Sequence, residues 1–457
     1  MHIDTSRSRF DAAKHYSGVL ALQGRVLLDQ DHNEQLAIWL HQLRTSLADV
    51  IGQAGAPRDA AGFAVDRTDK TADKLADLSL SAGRMYVDGI LVENAVDTTY
   101  WGQPDGHLDH EVDQLPDSGA FLVYLRVWER EVTVVEDPDL REVALGIHGP
   151  ETTARSKVIW QVAAYPFGND DPGNDPAARW RADPPFPRRG LLKARARTPD
   201  DAETDVCSVS PEARFRGQEN QHYRVEVFRS GPAAAPETTA RTSRRGNRDA
   251  SLAAPAQFVW SRDNGSYVYP VTALRGAEVA VGVLGRDSRS ALDVGDLVEI
   301  VDDSSVALLG RDIEPSVVRT LFAVTAVDTV NLMVTLDRDP SGETGNIGRD
   351  QDLHPQLRRW DAPAAEITEG GWLDLEDGVQ VQFTGSGSDP TTYRNGDFWL
   401  APARRTTGDL IWPQGDAGPV ALPPFGIDYH YAPLALVPAS ARAKVVDLRA
   451  LFSPLTG

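Results

Sequence analysis

Cysteine is all but missing: Cys207 is the only one in 457 residues, so no intramolecular disulfide can form and no CxxC or zinc-finger spacing exists. That usage fits folding in a reducing cytoplasm. Long apolar runs are missing as well. No stretch of about 18 apolar residues occurs, and the opening MHIDTSRSRFDAAKHY lacks the apolar core of a secretory signal. Neither membrane insertion nor export by the general secretory route is expected. Basic charge is in deficit, with 46 Lys and Arg against 67 Asp and Glu, a formal charge of −21 at pH 7. Binding to phosphate-rich surfaces is driven by Lys and Arg, so nucleic acid and anionic membrane are not the expected partners.

The signatures of catalysis are also missing. No G-x-S-x-G elbow, Walker loop, dinucleotide fingerprint or zincin spacing is found, and Gly385-Ser386-Gly387-Ser388 lacks the strand and helix that a phosphate cradle needs. Asp29, Asp31 and Asn33 have the spacing that opens a calcium loop. Glu34 stands where the sharp-turn glycine belongs and Leu40 where the bidentate glutamate belongs, so helix capping is the better account. His107 and His110 lie in an acidic turn beside Asp105, Asp109 and Glu111, where two histidines among carboxylates could hold a metal. The expectation is a protein without enzymatic activity, metal or cofactor. Paired carboxylates of a glycosidase leave no sequence signature, and aromatic faces bind sugars as well as proteins. Trp260, Trp360 and Trp399 sit in strand-like stretches and read as core, whereas Trp101, Trp180, Trp372 and Trp412 stand beside Gly, Pro or charge and read as candidates for exposure.

What is present is the composition of a folded protein, 41% apolar and 25% charged, in a chain long enough for two to four domains by the usual ~100–200 residues each. Residues 1–62 read as an N-terminal arm followed by one amphipathic helix. Phe10, His15, Tyr16, Gly18 and Gly24 mark the arm, with a short strand expected at Val19–Leu22. In the helix, Leu36, Leu40, Leu43, Leu47 and Val50 recur at steps of three and four, Trp39 and Ile51 widen the stripe, and Gly52 stands where a helix ends. Beyond Gly62 short alternating runs are cut by Gly, Pro, Asn and Asp, the pattern of antiparallel β structure. The expected class is mainly β. One β domain begins at 63–273, with surface loops at 168–190 and 230–257, and resumes at 347–457 after an inserted small β-barrel at 274–346. Asp263-Asn264-Gly265 is expected to turn a hairpin between Phe258–Trp260 and Tyr267–Val271. Arg241, Arg244, Arg245 and Arg248 form a basic tract within the second loop.

Several stretches carry a resemblance. Ser8-Arg9-Phe10-Asp11-Ala12-Ala13-Lys14-His15-Tyr16-Ser17-Gly18-Val19-Leu20 and Gln23-Gly24-Arg25-Val26-Leu27-Leu28-Asp29-Gln30-Asp31-His32-Asn33-Glu34 open the chain. Tyr223-Arg224-Val225-Glu226, Trp260-Ser261-Arg262-Asp263-Asn264-Gly265-Ser266, Gly396-Asp397-Phe398-Trp399, Pro402-Ala403-Arg404 and His430-Tyr431-Ala432-Pro433-Leu434-Ala435 follow. Together they resemble an uncharacterised bacterial family associated with contractile injection systems and phage-tail-like particles. The resemblance implies a baseplate-associated structural protein, either fibre adaptor or cage-type subunit, present in several copies or as a homo-oligomer among other baseplate, spike or fibre proteins. It implies assembly in the cytoplasm and release outside the cell only with the particle. The rival expectation is a glycan-binding or glycan-cleaving appendage. Arg9, Phe10, His15, Tyr16 and Arg25 combine the residue types that dominate protein interfaces, and they are the expected assembly contacts.

Overall fold

A computed structural model describes residues 3–68, 77–146, 151–168, 172–182, 189–198, 214–234, 254–285, 287–310, 319–385, 387, 391–440 and 442–454. It is mainly β with antiparallel sheets. The chain forms two compact units. One comprises Ser8–Val132, Thr153–Pro185 and Asp428–Gly457; the other comprises Met1–Arg7, Thr133–Thr152 and Phe186–Ile427. We refer to them as the arm unit and the barrel unit.

The arm unit combines a long helix with two four-stranded sheets and a small three-stranded one. The long strands Phe121–Val132 and Arg155–Pro166 pair along their whole length, with His430–Val437 on the other side of the first. The second sheet is built on the hairpin Gly83–Val87 and Ile90–Asn94, which turns through Asp88 and Gly89, both at positive φ. Ile90–Asn94 alternates buried and exposed residues, as a strand with one face on a core must. Met85, Val87, Ile90 and Val92 meet Val123, Leu125, Val127, Trp160 and Leu434 in one apolar core, the arrangement of two sheets packed face to face. Part of the expected loop 168–190 is ordered instead. Pro176–Ala182 is a short helix, and Trp180 is buried beside Tyr124 and Tyr431; its indole finds an aromatic niche that its charged neighbours in sequence do not announce.

The barrel unit holds a sandwich and a closed barrel. Gln221–Arg229 is the middle strand of a five-stranded sheet, flanked by Gln257–Ser261 and Phe398–Arg404. A smaller sheet of Leu191–Ala196, Val379–Thr384 and Leu373–Asp374 closes over Tyr223, Val225, Trp260, Phe383, Tyr393, Trp399 and Trp412. The six antiparallel staves of the barrel are Val268–Arg275, Glu278–Val281, Met333–Leu336, Leu321–Asp328, Leu297–Val301 and Gln356–Trp360, with their own core around Val298, Phe322, Val334 and Leu357. The barrel therefore runs from Val268 to Trp360. The flanks placed in the host domain from sequence are its closing staves, paired at Val268 with Arg358 and at Tyr269 with Leu357. The chain leaves the sandwich after Ser261 and rejoins it at Ala365–Glu366, which pairs with Gln257 and Phe258.

Two further expectations change. Val19–Leu22 forms no strand. The Asp263-Asn264-Gly265 turn is present, with Asn264 and Gly265 at positive φ, but it links the sandwich to the barrel, because Gln257–Ser261 and Val268–Arg275 pair with other strands. The basic tract Arg241 to Arg248 and Cys207 lie outside the described residues.

Candidate assembly interface

The arm lies along its own helix. The helix Asp29–Ile51 starts where Asp31 accepts from the Leu28 backbone N–H at 3.2 Å, and it ends with the Gly52 N–H donating to Ala48. Arg9 donates to the Asp31 carboxylate at 3.0 Å, and Phe10 tilts against His41 with ring centroids 5.5 Å apart. The Val19 N–H donates to the Gln35 amide oxygen. Gln35, Ile38 and His41 follow one another at three-residue steps and so form one row on the helix. Ile38, in the middle of that row, is 2% exposed.

A second face of the helix is seated on the arm unit. Arg44 forms an ion pair with Glu129 at 2.7 Å. Its backbone passes so close to Gly89 that a Cβ there would lie 2.3 Å from the Arg44 carbonyl oxygen. Glycine at 89 thus serves both the turn and the approach of the helix.

The third face is exposed. Leu36, Trp39, Leu43 and Val50 are exposed, Trp39 by 61%. The arm adds Leu20 (88%), Leu22, Val26 (84%), Leu27 and Leu28, all exposed. Of the expected contact residues, Tyr16, His15 and Arg25 are exposed, Arg9 is held by Asp31 and Phe10 is half-buried. His15 takes a left-handed conformation that closes the short turn Ala12–Lys14. The structure thus brings Arg9 and Phe10 onto the helix and leaves His15, Tyr16 and Arg25 open. The exposed helix stripe belongs with these residues, although its periodicity alone reads as a face toward the protein's own core.

Charge is arranged in the opposite way in the barrel unit. Arg224 and Glu226 on the central strand, Glu299 and Arg358 on barrel staves, and Arg319 just before another stave are all buried or nearly so. The Arg319 guanidinium joins Glu226 at 2.9 Å and Glu299 at 2.6 Å, while Arg224 donates to Glu226 at 2.7 Å. The Trp360 indole N–H also donates to Glu299, at 3.0 Å. Burial would raise the Glu226 carboxyl, but Arg224, Arg319 and Arg358 outweigh it and hold it at about 2. Burial lowers Arg358 to about 10 against the pull of Glu299 and Glu226. A carboxylate so depressed is a poor proton acceptor near neutrality. The adjoining cavity, lined among others by Glu299, Arg319, Ser305 and Asn395, holds about 30 Å³, room for roughly one water. This cluster ties sandwich to barrel.

Segments quoted for the resemblance converge beside it. The Arg224 guanidinium sits 3.7 Å over the Phe398 ring and reaches the Asn264 side chain at 3.3 Å. Asn264 donates to the Ile3 carbonyl, Arg404 to that of Ser6, and the His222 ring pairs with that of Thr5 at 2.9 Å. Ile3–Ser6 is thereby tied to the barrel unit through backbone carbonyls.

A model of the family of unknown function DUF6519 matches residues 1–171 and 187–446. The chain belongs to that family. The DUF6519 match takes in the arm, the helix, the buried charges and the barrel, and skips 172–186, where the Trp180 helix lies. Neither a curated protein nor a solved structure matches the chain. Among the described residues no group of three His, Cys, Asp or Glu is placed to hold a metal. His110 stacks on Trp101 at 4.6 Å. No helix among the described residues is long and apolar enough to cross a membrane.

Proposed function

We propose that this DUF6519 chain is a structural assembly subunit of a phage-tail-like contractile injection particle, at or near the baseplate, as a fibre adaptor or cage-type subunit. The observation that carries the assembly part is the uncovered apolar surface of arm and helix. An accumulation of exposed large apolar residues of this kind supports reading the surface as an interaction site, since monomers rarely tolerate a large apolar patch. The placement in a contractile particle rests on the resemblance of the quoted segments. The particle would be assembled in the cytoplasm and the chain would leave the cell only within it. In the rival glycan-binding reading, exposed aromatic faces would take sugars. One face of the half-buried Trp372 already carries Arg195 at 4.0 Å, one face of Trp101 carries His110, and Trp412 is buried.

The test is incorporation. Particles purified from cells expressing the wild type should contain the chain by mass spectrometry. Phe10→Ala combined with Tyr16→Ala should melt near the wild type yet be depleted from them. Particles that lack the wild-type chain would end the reading, and normal incorporation of the variant would remove the arm's part in it.

A further inference from the structure

We infer that the uncovered helix face binds the same face of a second copy of this chain. Three features select that occupant. The first is spacing: Leu36, Trp39, Leu43, Ser46 and Val50 follow at steps of three, four, three and four, the a/d seam on which one helix packs against another. Four of these five are the large exposed apolar residues, so the seam points away from the row under the arm and from the face seated at Gly89. The second is charge. Copies of a chain carrying −21 repel one another over most of their surface, but no Asp or Glu occurs between Asp11 and Asp29 or between Glu34 and Asp49. Arg44, the only charged group within the second of these stretches, is held by Glu129. Gln35 and Gln42 flank the seam and Ser46 lies in it, all uncharged, so over residues 35–48 identical helix stripes can meet with no like charges opposed beyond an Arg44 that Glu129 already neutralises. The third is area. The seam alone covers only about two heptads, less than a free-standing coiled coil needs. With Leu20, Leu22, Val26, Leu27 and Leu28 of the arm, nine large apolar residues are each 48–88% exposed, so the arm can extend the seam toward the ~800 Å² that a standard stable interface takes from each partner.

The inference rests on the proposed function only in treating this surface as an interface; it names the partner and does not require the particle. Sedimentation velocity of the purified full-length chain, followed up to about 100 μM where even affinities weaker than micromolar show, should reveal concentration-dependent self-association. Leu43→Glu and Trp39→Glu should each weaken it at least about thirtyfold, the effect of losing one interface hot spot, with helix content unchanged by circular dichroism. Val143→Glu, at an exposed apolar site elsewhere, should leave it intact. A wild type that stays monomeric throughout, or a Leu43→Glu variant that associates as the wild type does, overturns the inference. Particle incorporation of Leu43→Glu separates the two claims. A monomeric wild type whose Leu43→Glu variant drops out of particles assigns the face to a different subunit, which sinks self-association and spares the assembly reading. A self-associating wild type found in no particle supports the inference and sinks that reading.

Discussion

The helix of the arm unit and the central strand of the barrel unit break the usual distribution of residues in opposite directions. The helix turns Leu36, Trp39, Leu43 and Val50 outward, whereas the strand takes Arg224 and Glu226 fully inside. The difference lies in what each finds within the chain. Both buried carboxylates of the cluster, Glu226 and Glu299, are met by guanidinium groups from the sandwich strand or the segment before a barrel stave, so their desolvation is offset internally. The exposed leucines keep their side chains in water. A compensated anomaly holds a fold together, and an uncompensated one is what the proposed assembly contact rests on.

The largest expected effect comes from breaking the compensation. Glu226→Gln leaves Arg224, Arg319 and Arg358 facing Glu299 alone, and removal of one partner from a buried ion pair costs about 3–5 kcal/mol. Chemical denaturation should show that loss in the transition of the barrel unit. A change under about 1 kcal/mol, the size expected of an exposed pair, would show that the cluster is solvated and would dissolve the contrast.

Neighbouring residues on the helix sharpen the other side of it. Ile38→Ala removes a fully buried side chain beneath the arm and should cost about 2–4 kcal/mol. Trp39→Ala, one residue on, should change the stability of the dilute chain by less than about 0.5 kcal/mol, as surface substitutions do. Equal losses at the two sites would mean that Trp39 is covered by the chain itself.

How much of this was legible in the sequence follows the same division. The helix, its start near Asp29 and its end at Gly52 could be read because capping and period are local. Which way its stripe faces could not, since a step of three and four describes a core face and an intermolecular seam equally well. The barrel was legible as an insertion of short alternating runs, but its closure joins Val268 to Arg358, and nothing local announces a pairing across ninety residues. In Tyr223-Arg224-Val225-Glu226 the alternation reads as one apolar and one solvent face. The strand keeps that alternation, but both faces are buried, Tyr223 and Val225 in the sandwich core and Arg224 and Glu226 among the charges. A polar face buried against partners far along the chain looks, in sequence, like a polar face in water.

The smallest expected effect concerns a group inside the barrel unit whose charge is suppressed instead of paired. His222 is buried with its Nδ1 against the Thr5 carbonyl, an arrangement that the neutral ring satisfies by donating from Nδ1. Burial lowers its pKa below the ordinary 6.5; the Thr5 carbonyl and Asp4 oppose the shift, and Arg404 and Arg224 add to it. The native state therefore takes up a proton less readily than the unfolded chain, so stability rises with pH through this group. The contribution is complete above the unfolded pKa and is lost as pH falls through the lowered native value, the window just below neutrality. His222→Asn keeps a donor near the Thr5 carbonyl and cannot titrate. Melting temperatures of wild type and variant should run parallel above about pH 7 and diverge below the ordinary histidine value of about 6.5, the wild type falling faster. The difference between the two curves is the quantity to read, because the many carboxylates of an acidic chain impose a pH dependence common to both. Curves that stay parallel down to about pH 5 would mean that the native ring accepts its proton as readily as the unfolded one, and that the tie between His222 and residues 3–6 is indifferent to pH.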